Sequence, residues 1–185
     1  DGVLLQGEIK KFTTKDLQTN GCVDLDLSCK WAACNLGASS PESFGDYYAW
    51  GELETKTSYT YSNYAYYPTA PSVEISGTQY DVARKKLGDP WRMPTRDECW
   101  ELIENCKIED VTYKNIDGYL VIGKNGNAIF LPKVGYNYIA SSIPGCAYWS
   151  STYSYYNAAV YQLNGRTLTT DGQNGLCGCS IRPVQ

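Results

Sequence analysis

The chain has 185 residues, a formal net charge of −4, 17 Tyr, 8 Cys and no His. An acidic chain does not attract phosphates, and His is the commonest general base and metal ligand, so nucleic-acid binding and most hydrolase or zinc mechanisms are disfavoured. No apolar run is long enough to cross a bilayer, so direct membrane insertion is not expected.

Residues 1–21 mix apolar and polar positions and end at a turn-like Thr-Asn-Gly, which favours an N-terminal strand or docking arm. Residues 22–185 are then predicted to form a single domain. Between Cys22 and Asn35, apolar residues first alternate with Asp and Ser, which predicts a half-buried strand. Residues 53–79 have no steady period and contain Pro and Gly, so a long irregular loop is expected.

Two short helices are predicted next. Residues 81–87 are helical in pattern and are followed by Gly88 and a proline, which end helices. A second helix begins at Thr95, because Thr95 and Glu98 have the spacing of a capping box. Its predicted buried stripe consists of Cys99, Leu102, Ile103 and Cys106.

The rest of the chain predicts strands. Residues 119–122 and 128–131 flank Asn125-Gly126, which suits a tight hairpin turn. Further strands are expected at 147–152, 158–163, 166–170 and 179–184. The sum is an α+β fold, with two short helices packed on a mostly antiparallel sheet and long irregular loops.

The eight cysteines predict disulfides, and therefore export, because their number is even and no zinc-like pairs occur. Their pairing stays open among Cys22, Cys29, Cys34, Cys99, Cys106, Cys146, Cys177 and Cys179. One alternative is a zinc site that uses the first three with a distant Cys, although their gaps are irregular. Another is an exposed thiolate pair at Cys177 and Cys179 that binds a soft metal such as Cu(I). With disulfides, neither a metal nor a cofactor is expected.

Three acidic residues, Glu42, Asp46 and Glu52, lie close together in the sequence. They could act as paired glycosidase carboxylates or share a calcium ion. The favoured alternative is a solvated turn with one hydrogen-bonded acid, because no calcium-loop spacing is present. Catalysis is not expected here.

The C-terminal stretch from Tyr153 to Leu176 has the composition of an antibody-like paratope. Tyr gives rigid amphipathic area, while Ser and Asn give adaptable hydrogen bonds. The alternative is an ordinary exposed hairpin, because Tyr and Thr favour strands and Asn and Gly favour turns. The predicted ligand-binding residues are Tyr153, Tyr155, Tyr156, Asn157, Tyr161, Asn164, Arg166, Asp171, Gln173, Asn174 and Leu176.

Several short strings, taken in order, resemble the Fibrobacter-type major paralogous domain, an exported bacterial family with a C-type-lectin-like fold related to formylglycine-generating enzymes. They span residues 22–184: Val23-Asp24-Leu25-Asp26-Leu27, Lys30-Trp31-Ala32, Asn35-Leu36-Gly37-Ala38, Gly45-Asp46-Tyr47-Tyr48-Ala49-Trp50-Gly51-Glu52, Trp91-Arg92-Met93-Pro94-Thr95, Tyr148-Trp149-Ser150-Ser151-Thr152 and Ser180-Ile181-Arg182-Pro183-Val184.

The resemblance implies a C-type-lectin-like fold whose variable, ligand-binding surface lies between the Trp-Ser-Ser string and the final strand. Retroelements that mutate adenines convert Asn codons to Tyr, Ser or Asp, and residues 153–157 consist of Tyr, Ser and Asn. Ordinary family members with similar residues are the alternative. The sugar-binding strings of calcium-dependent lectins are absent, and the cysteine spacing differs from that of formylglycine-generating enzymes, so neither activity is implied.

The resulting hypothesis is a non-catalytic binding or adhesion domain, extracellular or displayed on a cell surface or phage particle. Its partner would be a protein or glycan target on another cell or surface. Two alternatives remain: a structural subunit of a surface appendage, and a thiol- or carbohydrate-active enzyme. The sequence sets neither the oligomeric state nor the mode of anchoring.

Overall fold

A computed structural model describes residues 21–67, 71–139, 141–154, 157–164, 167–169 and 175–185, with backbone pairing only for the strand residues from 154 to 169. The predicted arm therefore lies outside the description, except for Gly21. Within the described residues the chain forms two α-helices and eleven strands. All strand pairs are antiparallel, which confirms the α+β class. No helix in this part of the chain is long and apolar enough to span a membrane.

The strand predicted at the start of the domain is interrupted. Strand β1 (Cys22–Val23) pairs with β2 (Trp31–Ala32), and a reversal lies between them. Asp26 has a φ of 62°, and its N–H donates to the Asp24 carboxylate at 2.9 Å. This Asx-type turn takes the place of strand pairing at these residues. Leu25, an apolar residue of the alternating pattern, is therefore buried although it lies in a loop.

Both predicted helices are confirmed. Helix α1 (Val82–Leu87) is capped by Asp81, whose carboxylate accepts from the Arg84 N–H, and it ends at Gly88. Helix α2 (Arg96–Asn105) has the predicted capping box between Thr95 and Glu98. Its buried residues are Cys99, Leu102 and Ile103, whereas Cys106 is the half-buried C-cap.

The predicted central hairpin is present as β4 (Ile116–Ile122) and β5 (Ala128–Pro132). It gains a third strand that the sequence did not predict, β3 (Lys107–Tyr113). This edge strand has only one buried residue, Ile108, and carries charges, which obscures its apolar positions. The Asn125 side chain donates to the Asp24 carbonyl at 2.9 Å and so fastens the hairpin turn to the N-terminal loop.

Two further sheets complete the fold. In one, β6 (Tyr136–Tyr138) lies between β7 (Ser141–Ile143) and β11 (Gly178–Cys179). In the other, β9 (Asn157–Asn164) lies between β8 (Ala147–Ser154) and β10 (Thr167–Thr169), as the sequence indicated. The strand predicted at 179–184 is wrong beyond Cys179, because Val184 makes only isolated bridges to Trp31 and Arg92.

A buried arginine links separate parts of the interior. Arg182 is 0% exposed, and its guanidinium donates to the side-chain oxygen of Asn35 at 2.9 Å. It also donates to the carbonyls of Ala32, Ala33 and Phe130 at 3.1, 2.7 and 2.8 Å. These acceptors join the segment after β2 to strand β5, so the planar fork of the guanidinium suits this position.

Candidate ligand-binding face

The predicted binding stretch begins on β8 and continues through β9 and β10. Register is regular at the base of the hairpin, shifts between Trp149 and Tyr153, and resumes where Tyr153 opposes Ala158. Such an irregularity re-aims the residues beyond it. Backbone pairing places Asn157, Tyr161 and Asn164 on β9. Six predicted contacts lie outside the described residues: Tyr155, Tyr156, Arg166, Asp171, Gln173 and Asn174.

The two predicted contacts whose side chains are described differ in exposure. Tyr153 is half-buried, and its ring centroid lies 5.8 Å from that of Trp50. Leu176 is 0% exposed and packs with Ala49, Tyr59 and Tyr64. Its prediction as a contact is therefore corrected, because an apolar side chain following a polar turn gains most free energy by joining the core.

Residues 59–67, here called the tyrosine loop, pack next to this stretch. Tyr59 and Tyr64 are buried, and their hydroxyls donate to the carbonyls of Tyr47 and Trp50. Burial raises the pKa of Tyr59 to about 12, so it stays a donor at neutral pH. A Cβ on Gly178 would lie 2.5 Å from the Tyr59 ring, so the loop sits directly on the backbone that follows the C-terminal stretch.

The outer side of the loop carries exposed rings. Tyr61 is 42% and Tyr67 58% exposed, and their rings meet edge to face with centroids 5.3 Å apart. The Tyr61 hydroxyl lies 3.1 Å from the hydroxyl of Tyr138 on β6. Beside them Ile139 is 43% exposed, and its N–H donates to the Tyr59 carbonyl. Tyr61, Tyr67 and Tyr138 are called the tyrosine triad below.

A second series of rings leads from the loop toward β8. Tyr66 makes edge contacts with Tyr64 at 5.8 Å and with Tyr80 at 5.7 Å between centroids. Burial chiefly, then the Glu52 carboxylate, and to a lesser extent Tyr66 and Tyr153 raise the pKa of Tyr64. The loop contacts Trp50 through the Tyr64 hydroxyl, and the Trp50 ring in turn contacts that of Tyr153. The resulting aromatic face comprises Tyr61, Tyr66, Tyr67, Tyr80, Tyr138 and Tyr153.

Sequence reasoning missed the loop's part in this face, because it treated residues 53–79 only as irregular. The available signal was Tyr59-Thr60-Tyr61-Ser62-Asn63-Tyr64, which has the same Tyr, Ser and Asn composition as residues 153–157. Where the residue pattern has no steady period, a single sequence does not distinguish buried tyrosines from exposed ones.

An ion pair fixes the base of the loop. Glu52 is 7% exposed, and its carboxylate accepts from the Ala65 N–H at 2.7 Å and pairs with the Lys56 ammonium at 2.5 Å. The same ammonium donates to the carbonyl of Asn63. Lys56, which precedes the loop, is therefore engaged by Glu52 and Asn63, and Glu52 also holds the loop at Ala65.

The three candidate carboxylates each have separate partners. Glu42 pairs with Lys114 at 2.8 Å, Asp46 accepts from the Tyr48 hydroxyl at 3.1 Å, and Glu52 holds the loop. Burial acts to raise the pKa of Glu42, but hydrogen bonds from Lys114, the backbone and Ser40 together outweigh it, so the pKa is lowered, opposite to the need of a general acid. The described residues contain no group of three or more His, Cys, Asp or Glu suited to a metal.

The cysteines are mostly buried. Cys177 and Cys179 are 1% and 0% exposed, and burial raises the pKa of Cys177 to about 12 and that of Cys179 well above its usual value. The alternative of an exposed thiolate pair is therefore wrong. Six of the predicted disulfide candidates are free thiols in the structure: Cys22, Cys29, Cys34, Cys99, Cys106 and Cys179.

No protein-family model, no curated protein and no solved structure matches this chain.

Proposed function

We propose that this protein is an exported, surface-displayed, non-catalytic binding domain of the Fibrobacter-type major paralogous family, with a C-type-lectin-like fold. It recognises a protein or glycan target through the aromatic face and the C-terminal strands. The observation that carries the proposal is the position of Tyr153. This first residue of the predicted binding stretch lies against Trp50, whose carbonyl accepts from the Tyr64 hydroxyl of the tyrosine loop.

Exposed aromatic area supports binding, because soluble proteins rarely leave clustered large rings in water without a partner for them. Tyr67 is 58% exposed at the edge of the face. Tyrosine has few rotatable bonds and both an apolar and a polar part, so it gives contact area at low entropy cost. The separate partners of the candidate carboxylates and the burial of Cys177 and Cys179 favour recognition over catalysis.

The binding stretch is bounded by anchored residues. Before it, the Trp149 indole donates to the Tyr48 carbonyl at 2.7 Å, and the Ser151 hydroxyl donates to the Pro94 carbonyl at 3.0 Å. After it, Leu176 and Ile181 are buried. We expect the residues between these anchors to vary more than the anchors do. Diversification by a retroelement is therefore part of the proposal, and sibling genes are expected to vary at 153–174 and agree at the anchors.

The test replaces Tyr153, Tyr155, Tyr156 and Tyr161 by Ala and measures binding to printed arrays of glycans and extracellular proteins. The matched control replaces four charged residues that are exposed or half-buried by Ala: Glu104, Lys107, Glu109 and Asp110. We expect the tyrosine variant to lose at least about tenfold in affinity for every array ligand of the wild type, since interface tyrosines are frequent hot spots.

Both variants are checked for folding by near-UV circular dichroism. Wild-type affinity in the folded tyrosine variant, or equal losses in the two variants, would refute the proposed face. Unfolding of the tyrosine variant would assign these residues to the core, and that also contradicts the proposal. A wild-type protein that binds no array ligand would count against recognition as the function.

A further inference from the structure

We infer that the tyrosine triad is a stacking subsite for a neutral glycan. This inference deepens the proposed function, because the triad belongs to the aromatic face, and it names the ligand class for that part. It involves no residue of the stretch 154–174. The triad and the C-terminal strands can therefore be tested separately.

The triad presents the two kinds of surface that a sugar ring needs. Tyr61 and Tyr67 are 42% and 58% exposed, and their rings stand at 69° to each other. Two inclined, exposed rings form a shallow corner against which the C–H face of a pyranose can stack. Ile139, 43% exposed beside them, extends the apolar area.

Hydroxyl groups lie at the rim of this corner. The oxygens of Tyr61 and Tyr138 are 3.1 Å apart, so one hydroxyl donates to the other. Each phenol has one O–H and two acceptor lone pairs, so the pair keeps one free O–H and several acceptor sites. Thr60 and Ser62, whose hydroxyl oxygens are 3.1 Å apart, add further groups of the same kind on an exposed turn. Sugar hydroxyls both donate and accept, which matches this set.

The charge at the subsite favours a neutral ligand. The side chains of the triad, Thr60 and Ser62 are uncharged. Lys56, the cation that contacts this loop, is held by Glu52 and by the carbonyl of Asn63. An acidic glycan would need an available cation at the subsite, and among these side chains that one is already paired.

The subsite is held in place before a ligand arrives. A 3-10 helix (Tyr61–Asn63) carries Tyr61, and the Thr60 N–H before it donates to the Asn63 side-chain oxygen at 3.0 Å. The Asn63 amide also donates to the Ser58 carbonyl at 2.9 Å. Buried Tyr59 and Tyr64 anchor the loop on both sides of this turn. Preorganisation reduces the entropy cost of binding, and it matters most for a ligand with as few contacts as one or two sugar rings.

A glycan fits this subsite better than a protein partner does. Specific protein interfaces bury about 800 Å² per partner around a desolvated centre. The triad offers three rings, and Ile139 adds one aliphatic side chain. One or two sugar units would cover this surface. A protein target for this subsite is kept as an outcome of the test.

The experiment is native gel electrophoresis with soluble polysaccharides in the gel. The neutral probes are galactomannan, xyloglucan, hydroxyethylcellulose and dextran, and the acidic probe is polygalacturonate. We expect at least one neutral probe to retard the wild type and polygalacturonate to retard it less. Tyr61→Ala with Tyr67→Ala should raise the dissociation constant at least tenfold. The matched control, Tyr113→Ala, changes a tyrosine of β3 and should leave it unchanged.

A third variant, Tyr61→Phe with Tyr138→Phe, keeps the rings and removes the hydroxyls. It should weaken binding less than the alanine variant does. The inference falls if no neutral probe retards the wild type, if the folded double alanine variant is retarded as before, or if the double variant loses only a protein ligand on the arrays. Loss of array binding in the four-tyrosine variant but not in Tyr61→Ala with Tyr67→Ala would overturn this inference and leave the proposed function standing.

Discussion

The exposed side chains of α1, α2 and β3 and the rings of the aromatic face differ in their chemistry. The first group carries ion pairs such as Arg84 with Asp89 at 2.7 Å and Lys107 with Glu109 at 2.5 Å. The second group exposes tyrosine rings and hydroxyls. Mixed charges keep a surface soluble and resist non-specific contact, whereas clustered rings gain free energy when a partner covers them. We propose that the charged side chains serve solubility and that the aromatic face serves recognition.

Beneath both surfaces, buried polar groups are satisfied by the backbone. On the helical side Asp81 is 0% exposed and accepts from the N–H groups of Gly77, Arg84 and Met93 at 2.7, 3.0 and 2.9 Å. On the aromatic side the hydroxyl of Tyr64 donates to a main-chain carbonyl. These side chains fix loops that have little regular structure of their own.

The largest effect is expected at Arg182, which joins β5 to the segment after β2. Arg182→Leu leaves the carbonyls of Ala32, Ala33 and Phe130 without their buried donor. Each buried group without a partner costs about 1–3 kcal/mol, so we expect a loss of at least about 3 kcal/mol in unfolding free energy. Urea denaturation measures it.

Arg182→Lys is the control for charge alone. An ammonium cannot reproduce the planar fork, so this variant should stay well below the wild type in stability. A lysine variant as stable as the wild type would show that the geometry of the guanidinium is not needed. If the wild type, Arg182→Leu and Arg182→Lys bind equally per folded molecule, Arg182 stabilises the interior and has no part in binding by the aromatic face.

The next-largest effect on stability is expected within the tyrosine loop, where a buried and an exposed tyrosine are compared. Tyr64→Ala removes a ring that is 7% exposed together with its bond to the Trp50 carbonyl, so we expect a loss of about 3 kcal/mol, as for other large-to-small core changes. Tyr61→Ala removes a ring that is 42% exposed and should cost under about 1 kcal/mol. Thermal and urea unfolding give both values. Similar losses in the two variants would contradict the inward and outward assignment.

The sequence predicts the structure of the helices better than that of the tyrosine loop. The helices were predictable because their signals are local: Asp81, Gly88 and the Thr95 to Glu98 spacing act within one turn. The tyrosine loop was not, because its order comes from distant partners such as Gly178 and Glu52. For the same reason composition identified a tyrosine-rich stretch but placed the buried Leu176 among its contacts.

A smaller effect is expected at the pair of Arg92 and Glu98. Burial acts to raise the pKa of Glu98, but the bonds from Arg92 and Thr95 outweigh it, so the folded pKa lies below the usual 4.5. The carboxylate therefore adds stability that is fully present above about pH 4.5 and is lost as the pH falls through the lower folded pKa. Glu98→Gln should cost about 1–2 kcal/mol at pH 7.

This cost should shrink as the pH falls below 4.5, because protonation weakens the wild-type pair as well. Urea denaturation at a series of pH values from 7 down to acid gives the difference between the two proteins. Asp97→Asn, at the exposed start of the same helix, is the control. A difference that stays constant with pH would show that Glu98 acts through shape and not through its charge.

The smallest effect on stability compares one exposed residue from each surface. Lys107 has a side chain 66% exposed in an ion pair, and Tyr67 is 58% exposed in the triad. Lys107→Ser and Tyr67→Ser should each change the unfolding free energy by under about 1 kcal/mol, because exposed pairs and exposed rings contribute little to folding. Only Tyr67→Ser should weaken retardation by neutral polysaccharides in the native gel. Equal retardation of the two variants would contradict the distinction between the charged and aromatic surfaces. Tyr67 would then be an ordinary exposed residue with no role in binding.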